Sequence, residues 1–565
     1  MSNPSANQTS SERKALDQRY AQQRNEAWFS LAIGGVSIAA LLWYYAHQQI
    51  LLYGDAVAHI NIARRVLDNR SWLSSFFQLG TVWLPLPHIL MLPFVWNRAL
   101  WMSGIAGSVA SMVAYVAGAL GIFRLVSARA PRAAAYIAAA AYALNPNLLY
   151  MQTTAMNEPL FLAFIIWAIV YFDEWLRALS TAPGATPHDR GSERALEGCG
   201  MALAGAAATR YDGWFFGAIM GGLVLWAFVL WWRKTPNATH RRAMTKSLAE
   251  FLLLNALVPV FWLAYNHRVS GRAMDWANGP YSARAIAERT TARGAAPYPG
   301  KDHVVTAGLY FLKAAKLNVG PAHWGDVLFL LAVLGTAVAV WRFRRYRTWL
   351  LLWVPLAFYA LSIAYGSVPI FIPTWWPFSY YNVRYGLELL PVFAVFPALL
   401  AVFVAELVAN PRKKAAVWGL LALVIAASYL SIYADVPITL KEAQANARTR
   451  TVLEDELAKF LAAVPPSATL LMYQGEHVGA LQQAGIPLRH VISEVSHPDW
   501  EWALLDPARS ADFIIAFKGD PVWMAAQEHQ QELTNLISIT VLGQAKCAIY
   551  RPVKRDGEPP MLPNK

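Results

Sequence analysis

"WFSLAIGGVSIAALLWYYAHQQILLYGDAVAHINIARRV" (residues 28–66) decides the fold class. No Asp, Glu, Lys or Arg stands between Ala27 and Leu52; Asp55, His59, Arg64, Arg65 and Asp68 then follow closely. A run of this length crosses about 30 Å of hydrocarbon as a helix. It is too long, and lacks a small-residue cleavage site, for a removable signal peptide, so it reads as an uncleaved first span. Residues 55–69 read as an amphipathic helix at the point where the chain leaves the bilayer, with Val57, Ile60, Val66 and Leu67 on the apolar side. Asp55 and His59 are i, i+4 and share a face.

The rest of the chain repeats the pattern. Hydrophobic residues make up 56% of it, charged residues only 15%, and there are 24 Trp; average soluble chains carry about 25% charged residues. Eleven spans are expected: 28–50, 102–126, 132–150, 158–176, 195–210, 213–232, 248–266, 326–341, 349–366, 386–407 and 415–434. With the N-terminus (1–27) inside, the inner loops carry 22 Lys and Arg over 79 residues and the outer segments 14 over 135. This is the asymmetry of the positive-inside rule. It accounts for a net charge of +13 without nucleic acid as a partner. Residues 28–434 thus read as a membrane module with two long outer loops, 51–101 and 268–323. The Trp- and Pro-rich stretch 79–94 suits helices lying in the interface.

From 435 to 555 the pattern changes. Residues 468–492 read as strand, helix and strand, 511–519 as a strand and 536–552 as a hairpin, the signature of a small α/β domain on the outer side. The tail, 556–565, reads as disordered. Cys199 and Cys547 fall in different layers and have no Cys or His neighbour at metal spacing, so neither a disulfide nor a metal site is expected from them.

Ionisable side chains gather at the outer ends of the spans. Asp55 at a helix start is equally explained by capping, and His59 by a hydrogen bond at the interface. Their position at a membrane surface would also let a carboxylate take a proton from an attacking hydroxyl or amine. Glu158 begins the fourth span at the same depth, where the helix macrodipole favours an acid. Arg210 and Asp212, in "TRYDGW", occupy the outer junction of the fifth and sixth spans. "YNHRVSGRAMDWANGPYSARAI" (265–286) supplies His267, Asn278 and Tyr281 in a loop with Gly-Pro turns. Arg384 and Tyr385, in "SYYNVRYGLELLP" (379–391), enter the tenth span, and Glu388 one turn later is expected to partner the arginine. A lone Arg among Tyr residues at such a depth suits a phosphate oxygen.

In order and on one side, "YGDAVAHINIARRV", "NEPLF", "TRYDGW", "NGPYSA" and "NVRYGLELLP" resemble the GT-C fold glycosyltransferases, including polyprenyl-phosphate-sugar-dependent relatives of protein O-mannosyltransferases and aminoarabinose transferases. The resemblance covers residues 55 to 410. It implies a sugar donor on a polyprenyl phosphate, used at the outer face of the inner membrane, and a lipid, glycan or protein acceptor. Asp55 would be the general base, Glu158 a second catalytic acid, and Arg384 with Tyr385 the neighbours of the lipid phosphate. His59, Arg210, Asp212, His267, Asn278 and Tyr281 would line the substrate site. The first loop holds one acid rather than an Asp-x-Asp pair, so a divalent metal at Asp55 and His59 is weighed and not favoured, and no cofactor is expected.

The alternatives are a transporter or flippase for a lipid-linked substrate, an outer-face polymer ligase, and a scaffold with a sensory outer domain. A transporter would place ionisable groups near mid-bilayer. The enzyme reading requires Asp55 and Arg384, far apart in the chain, to converge on one surface.

Overall fold

The first apolar run and the polar segment before it form one helix, Pro4–Ala46. The computed structural model describes residues 4–69, 72–180, 190–235, 238–290, 296–342 and 344–553; the tail expected at 556–565 lies outside them. Among the described residues nine helices are long and apolar enough to cross a membrane: Arg24–Ala46, Ile105–Ser127, Glu158–Leu179, Asp212–Lys234, Ala238–Ser270, His323–Trp341, Tyr346–Tyr365, Val383–Glu406 and Pro411–Ala447. The chain is a multi-pass membrane protein.

Two of the eleven expected spans fall short of that standard. The expected 132–150 is broken. One helix runs Arg132–Ala143; Asn145 then caps a new turn, Pro146–Met151, its Oδ1 accepting the N–H groups of Asn147 and Leu148 at 3.0 Å each. Pro146 has no N–H with which to continue the first helix. The expected 195–210 lies in an unbroken helix, Arg190–Thr209, whose first two turns carry Arg190, Glu193, Arg194 and Glu197 and so lower its hydropathy. It lies antiparallel to Glu158–Ser180, with Gly198 against Tyr171 and Gly205 against Phe164. Small residues let helix backbones approach closely where lipid offers no hydrophobic drive.

The segment 51–101, expected as the first outer loop, folds into helices Gly54–Leu67 and Leu86–Val95. The segment 268–323, expected as the second, holds short helices Asp275–Asn278 and Ala283–Thr290 and the longer Val304–Val319. After the last span come helices Ile438–Ala447 and Arg450–Leu461, then a five-stranded sheet. Its strands are β1 (Leu470–Met472), β2 (Val491–Ile492), β3 (Phe513–Phe517), β4 (Leu533–Ile539) and β5 (Cys547–Pro552), in the order β2-β1-β3-β5-β4. β1 is parallel to β2 and β3; β5 is antiparallel to β3 and β4.

Alternate residues of each strand face opposite sides. Leu470, Met472, Ile515 and Phe517 pack with Leu457, Leu461 and Leu481 in a core continuous with that of the membrane module. Leu471, Ile514 and Ala516 pack on the other side with Trp500, Ala503, Val522 and Ala526. The domain is also pinned by polar contacts. Asn61 donates to Gln482 at 2.7 Å, and Asp68 accepts from Arg489 at 3.1 Å. Cys199 and Cys547 are both buried and free.

Candidate functional site

Three acids lie in the first turns of three helices. Asp55 lies in the first turn of Gly54–Leu67, Glu158 is the first residue of Glu158–Ser180, and Asp212 the first of Asp212–Lys234. Asp55 is not a cap: the N-cap position is Tyr53, with no side-chain capping bond. Its carboxylate instead meets Arg384, Nη2 to Oδ2 at 2.7 Å. The two residues are 329 positions apart. Asp55 is 45% exposed, whereas Arg384 is 6% exposed.

Arg384 stands in the 3-10 turn Val383–Leu389. Two features hold that turn. Asn382 before it adopts φ 56° and donates its amide to Pro369 O at 3.0 Å; Asn tolerates this left-handed region better than most residues. Gly386 is pressed against the helix Val304–Val319, where an added Cβ would sit 2.5 Å from Ala314 C and Ala315 N. The guanidinium reaches Glu158 Oε1 through Nε at 3.2 Å and Glu442 Oε1 through Nη1 at 2.8 Å. Glu442 Oε2 also accepts the Arg384 backbone N–H at 3.0 Å. A guanidinium has five N–H groups, so two remain beyond these three side-chain contacts.

A second arginine lies alongside. Arg210 follows directly on the helix Arg190–Thr209 and contacts Glu158 Oε1 at 3.3 Å, Asp212 Oδ2 at 3.0 Å and Glu388 Oε1 at 3.3 Å. It also donates to Tyr359 OH at 2.7 Å, and Tyr359 OH lies 2.7 Å from Glu388 Oε1. Glu388, expected to partner Arg384 one turn back, faces Arg210 instead. Residues four apart meet on an α-helix, but this turn is 3-10, where i and i+3 eclipse. Tyr385 sits between the guanidiniums, with Arg210 Cζ 4.8 Å and Arg384 Cζ 4.9 Å from its ring centroid. Glu158 is fully buried, and its Oε1 bridges both arginines. Five carboxylates thus surround two arginines, and Asp55 is the half-exposed one.

His59 lies one turn beyond Asp55 but points into protein. It is 2% exposed, packs at a tilt against Trp83 with ring centroids 4.5 Å apart, and places Nδ1 2.8 Å from His88 Nε2 and Nε2 3.1 Å from Asn157 Nδ2. With the Asn157 amide donating, His59 carries its proton on Nδ1 and passes a hydrogen bond to His88. Burial pushes the His59 imidazole down to about 4, against a smaller opposing pull from Asp55. Both ring nitrogens are engaged, so a metal at Asp55 and His59 would have to displace one of these partners. Among the described residues no group of three or more His, Cys, Asp or Glu side chains is arranged to hold a metal ion.

The remaining expected site residues lie elsewhere. His267 and Asn278 are exposed, and Tyr281 is 42% exposed. Among the described residues no hydrogen bond joins any of the three to the arginine cluster. Sequence reasoning missed Glu442 and Tyr359. Glu442 lies seven residues past the end of the Pro411–Asp435 helix, in a segment assigned to the tail domain. Its one signal is an acid placed just beyond an outer span end, the same signal that singled out Asp55. Tyr359 is buried within an apolar span, where a lone Tyr says little.

No family model matches the chain, and no curated protein matches it. Solved structures do. ArnT from Cupriavidus metallidurans bound to undecaprenyl phosphate superposes with a TM-score of 0.53 at 13% identity, over 94% of this chain and 99% of that one. The apo state of the same protein gives 0.52 at 10% identity, over 91% and 97%. At these identities the likeness is one of architecture, and it runs through the membrane module and the tail domain together. The chain has the GT-C fold.

Proposed function

We propose that the protein is a membrane glycosyltransferase that moves a sugar from a polyprenyl-phosphate donor to an acceptor at the extracytoplasmic face. The observation that carries this reading is the pairing of a half-exposed Asp55 with a buried Arg384 that keeps two N–H groups uncommitted. The shared fold with a protein solved with undecaprenyl phosphate supports the class of donor.

In this mechanism the donor phosphate approaches the free N–H groups of Arg384 and competes with Asp55 for the guanidinium. Glu442, Glu158 and the Tyr385 ring keep the arginine in place meanwhile. The acceptor oxygen or nitrogen bonds to the anomeric carbon as the bond from that carbon to the phosphate oxygen breaks. The lipid phosphate leaves with the electron pair, its charge held by Arg384. The acceptor proton passes to Asp55, freed to act as base. Glu158, His59, Arg210 and Asp212 serve as positioning residues: each is buried or tied to the arginine pair. His267, Asn278 and Tyr281 lie outside the arginine cluster and take no part in this mechanism.

Mass spectrometry of lipids copurifying with the protein tests the donor class. A polyprenyl phosphate, with or without a sugar, is the expected result. Its absence, together with full transfer activity in Asp55→Asn, would remove the proposal.

A further inference from the structure

At the carboxyl edge of the tail-domain sheet two buried side chains carry polar atoms with no hydrogen-bond partner. His477, 3% exposed, leaves both ring nitrogens unpaired; Gln474, 4% exposed, leaves Oε1 unpaired. An unpaired buried polar atom is costly, and native proteins keep few of them. Three in one place call for a partner.

The topology explains where they sit. Gln474 and His477 follow β1, and the His477 ring packs 4.5 Å from that of Phe517, the last residue of β3. β1 and β3 are parallel neighbours. The helix after β1, Val478–Ala484, packs through Leu481 on one face of the sheet. The helix after β3, Pro521–Glu528, packs through Val522 and Ala526 on the other. Where successive connections leave for opposite faces, the strand ends part, and open α/β sheets bind ligands in that crevice. Gly475, Glu476, Lys518 and Gly519 form an exposed rim above the buried floor.

The chemistry of the floor selects the ligand. Burial, aided by the charge of Arg450, lowers the His477 imidazole to about 4, so near neutrality it offers one donor and one acceptor. A hydroxyl group answers both; an ammonium only donates, and a phosphate answers both only through a protonated oxygen while still carrying charge. The nearby acids are committed to backbone. Glu494 accepts the Gln474 N–H at 2.9 Å, and Asp520 accepts those of Phe517 and Trp523. A charged ligand would be desolvated on a floor whose own groups, His477 and Gln474, are neutral. We propose that the crevice between the ends of β1 and β3 binds a saccharide, a neutral ligand rich in hydroxyl groups, through His477 and Gln474. Tyr473, on the same edge, neighbours Tyr281 of the segment 268–323, so that segment borders the site.

The test is saturation-transfer NMR on the detergent-solubilised full chain. The probes are free glucose, mannose, galactose, arabinose and N-acetylglucosamine, with inorganic phosphate as the anionic control. At least one sugar should bind with a Kd on the order of 1 mM, and phosphate should not. His477→Phe and Gln474→Leu should each weaken that binding about tenfold or more, whereas Asp55→Asn should leave it intact. His477→Phe keeps a ring on Phe517 and removes two unpaired nitrogens, so the sugar-free variant should melt no lower than the parent. Absence of any sugar signal, a signal lost in Asp55→Asn and kept in the crevice variants, or a His477→Phe chain that unfolds would each overturn the proposal. The site uses neither Asp55 nor Arg384, so its failure and that of the transferase reading are separately visible.

Discussion

The two outer loops are nearly equal in length and both carry acids, imidazoles and arginines, yet only the first delivers a side chain to the arginine cluster. The difference lies in anchoring. The Asp55 helix is held along its length. Tyr53 OH donates to Thr439 O at 2.8 Å, Arg450 Nη2 donates to Leu51 O and Leu52 O at 3.2 and 3.1 Å, and Asn61 accepts from Trp101 Nε1 at 3.0 Å. In the stretch 267–281, His267, Arg268, Arg272 and Asn278 are exposed, and the buried Asp275 is bound by Thr81 and Arg272 rather than by the cluster. A charged residue near a membrane surface becomes part of a site only when the backbone beneath it is fixed from several directions.

That contrast can be broken most directly at Asp55. Asp55→Asn should lower sugar transfer about 100-fold or more, the range of a lost general base, while the protein still inserts and melts as a folded chain. Activity within twofold of the parent would end the assignment.

Glu442 is next. Replacing it with Leu leaves a buried guanidinium short of one carboxylate, a loss of about 3 kcal/mol, read as a lower thermal midpoint. Donor binding should weaken with it, and Glu442→Gln should restore part of both. Unchanged stability in Glu442→Leu would show that the third acid on Arg384 is dispensable.

Acid sharpens the comparison through His59. Its imidazole titrates near 6.5 when unfolded and near 4 when folded. Burial of the neutral ring is therefore compatible with folding above about pH 6.5, and stability is lost as pH falls toward 4, by ~3 kcal/mol if His59 acts alone. His59→Gln should flatten the decline in thermal midpoint between those pH values. An equally steep decline would place the sensitivity elsewhere.

Arg450→Ala tests the anchoring itself. It removes the bonds to Leu51 O and Leu52 O and the 2.6 Å pair with Glu454, about 2 kcal/mol for charged hydrogen bonds. Transfer should fall several-fold through misplacement of Asp55, with the pH profile unchanged. The smallest effects belong to the second loop: His267→Ala and Asn278→Ala should leave transfer within about twofold, as surface positions usually do.

Much was legible in the sequence. Uncharged runs of bilayer length, the denser Lys and Arg on one side and the change of pattern after 435 each depend on composition within a short window, so the membrane module and the α/β tail could be read before any contact was known. That Asp55, Glu158, Arg210 and Arg384 lie at one common end of the spans follows from the same alternation. The span count was less secure, because Pro146 divides one apolar stretch and four charged residues open the helix Arg190–Thr209. Only the tertiary structure decided which charges meet. Arg384 finds Asp55, Glu158 and Glu442 rather than Glu388, Glu158 turns inward to bridge two guanidiniums, and His59 points away from the acid one turn before it. These pairings join residues far apart in the chain, and nothing local distinguishes an acid that reaches a buried arginine from one that caps a helix or faces water. Distance in space, burial and the count of competing partners decide that, and they exist only once the helices have packed.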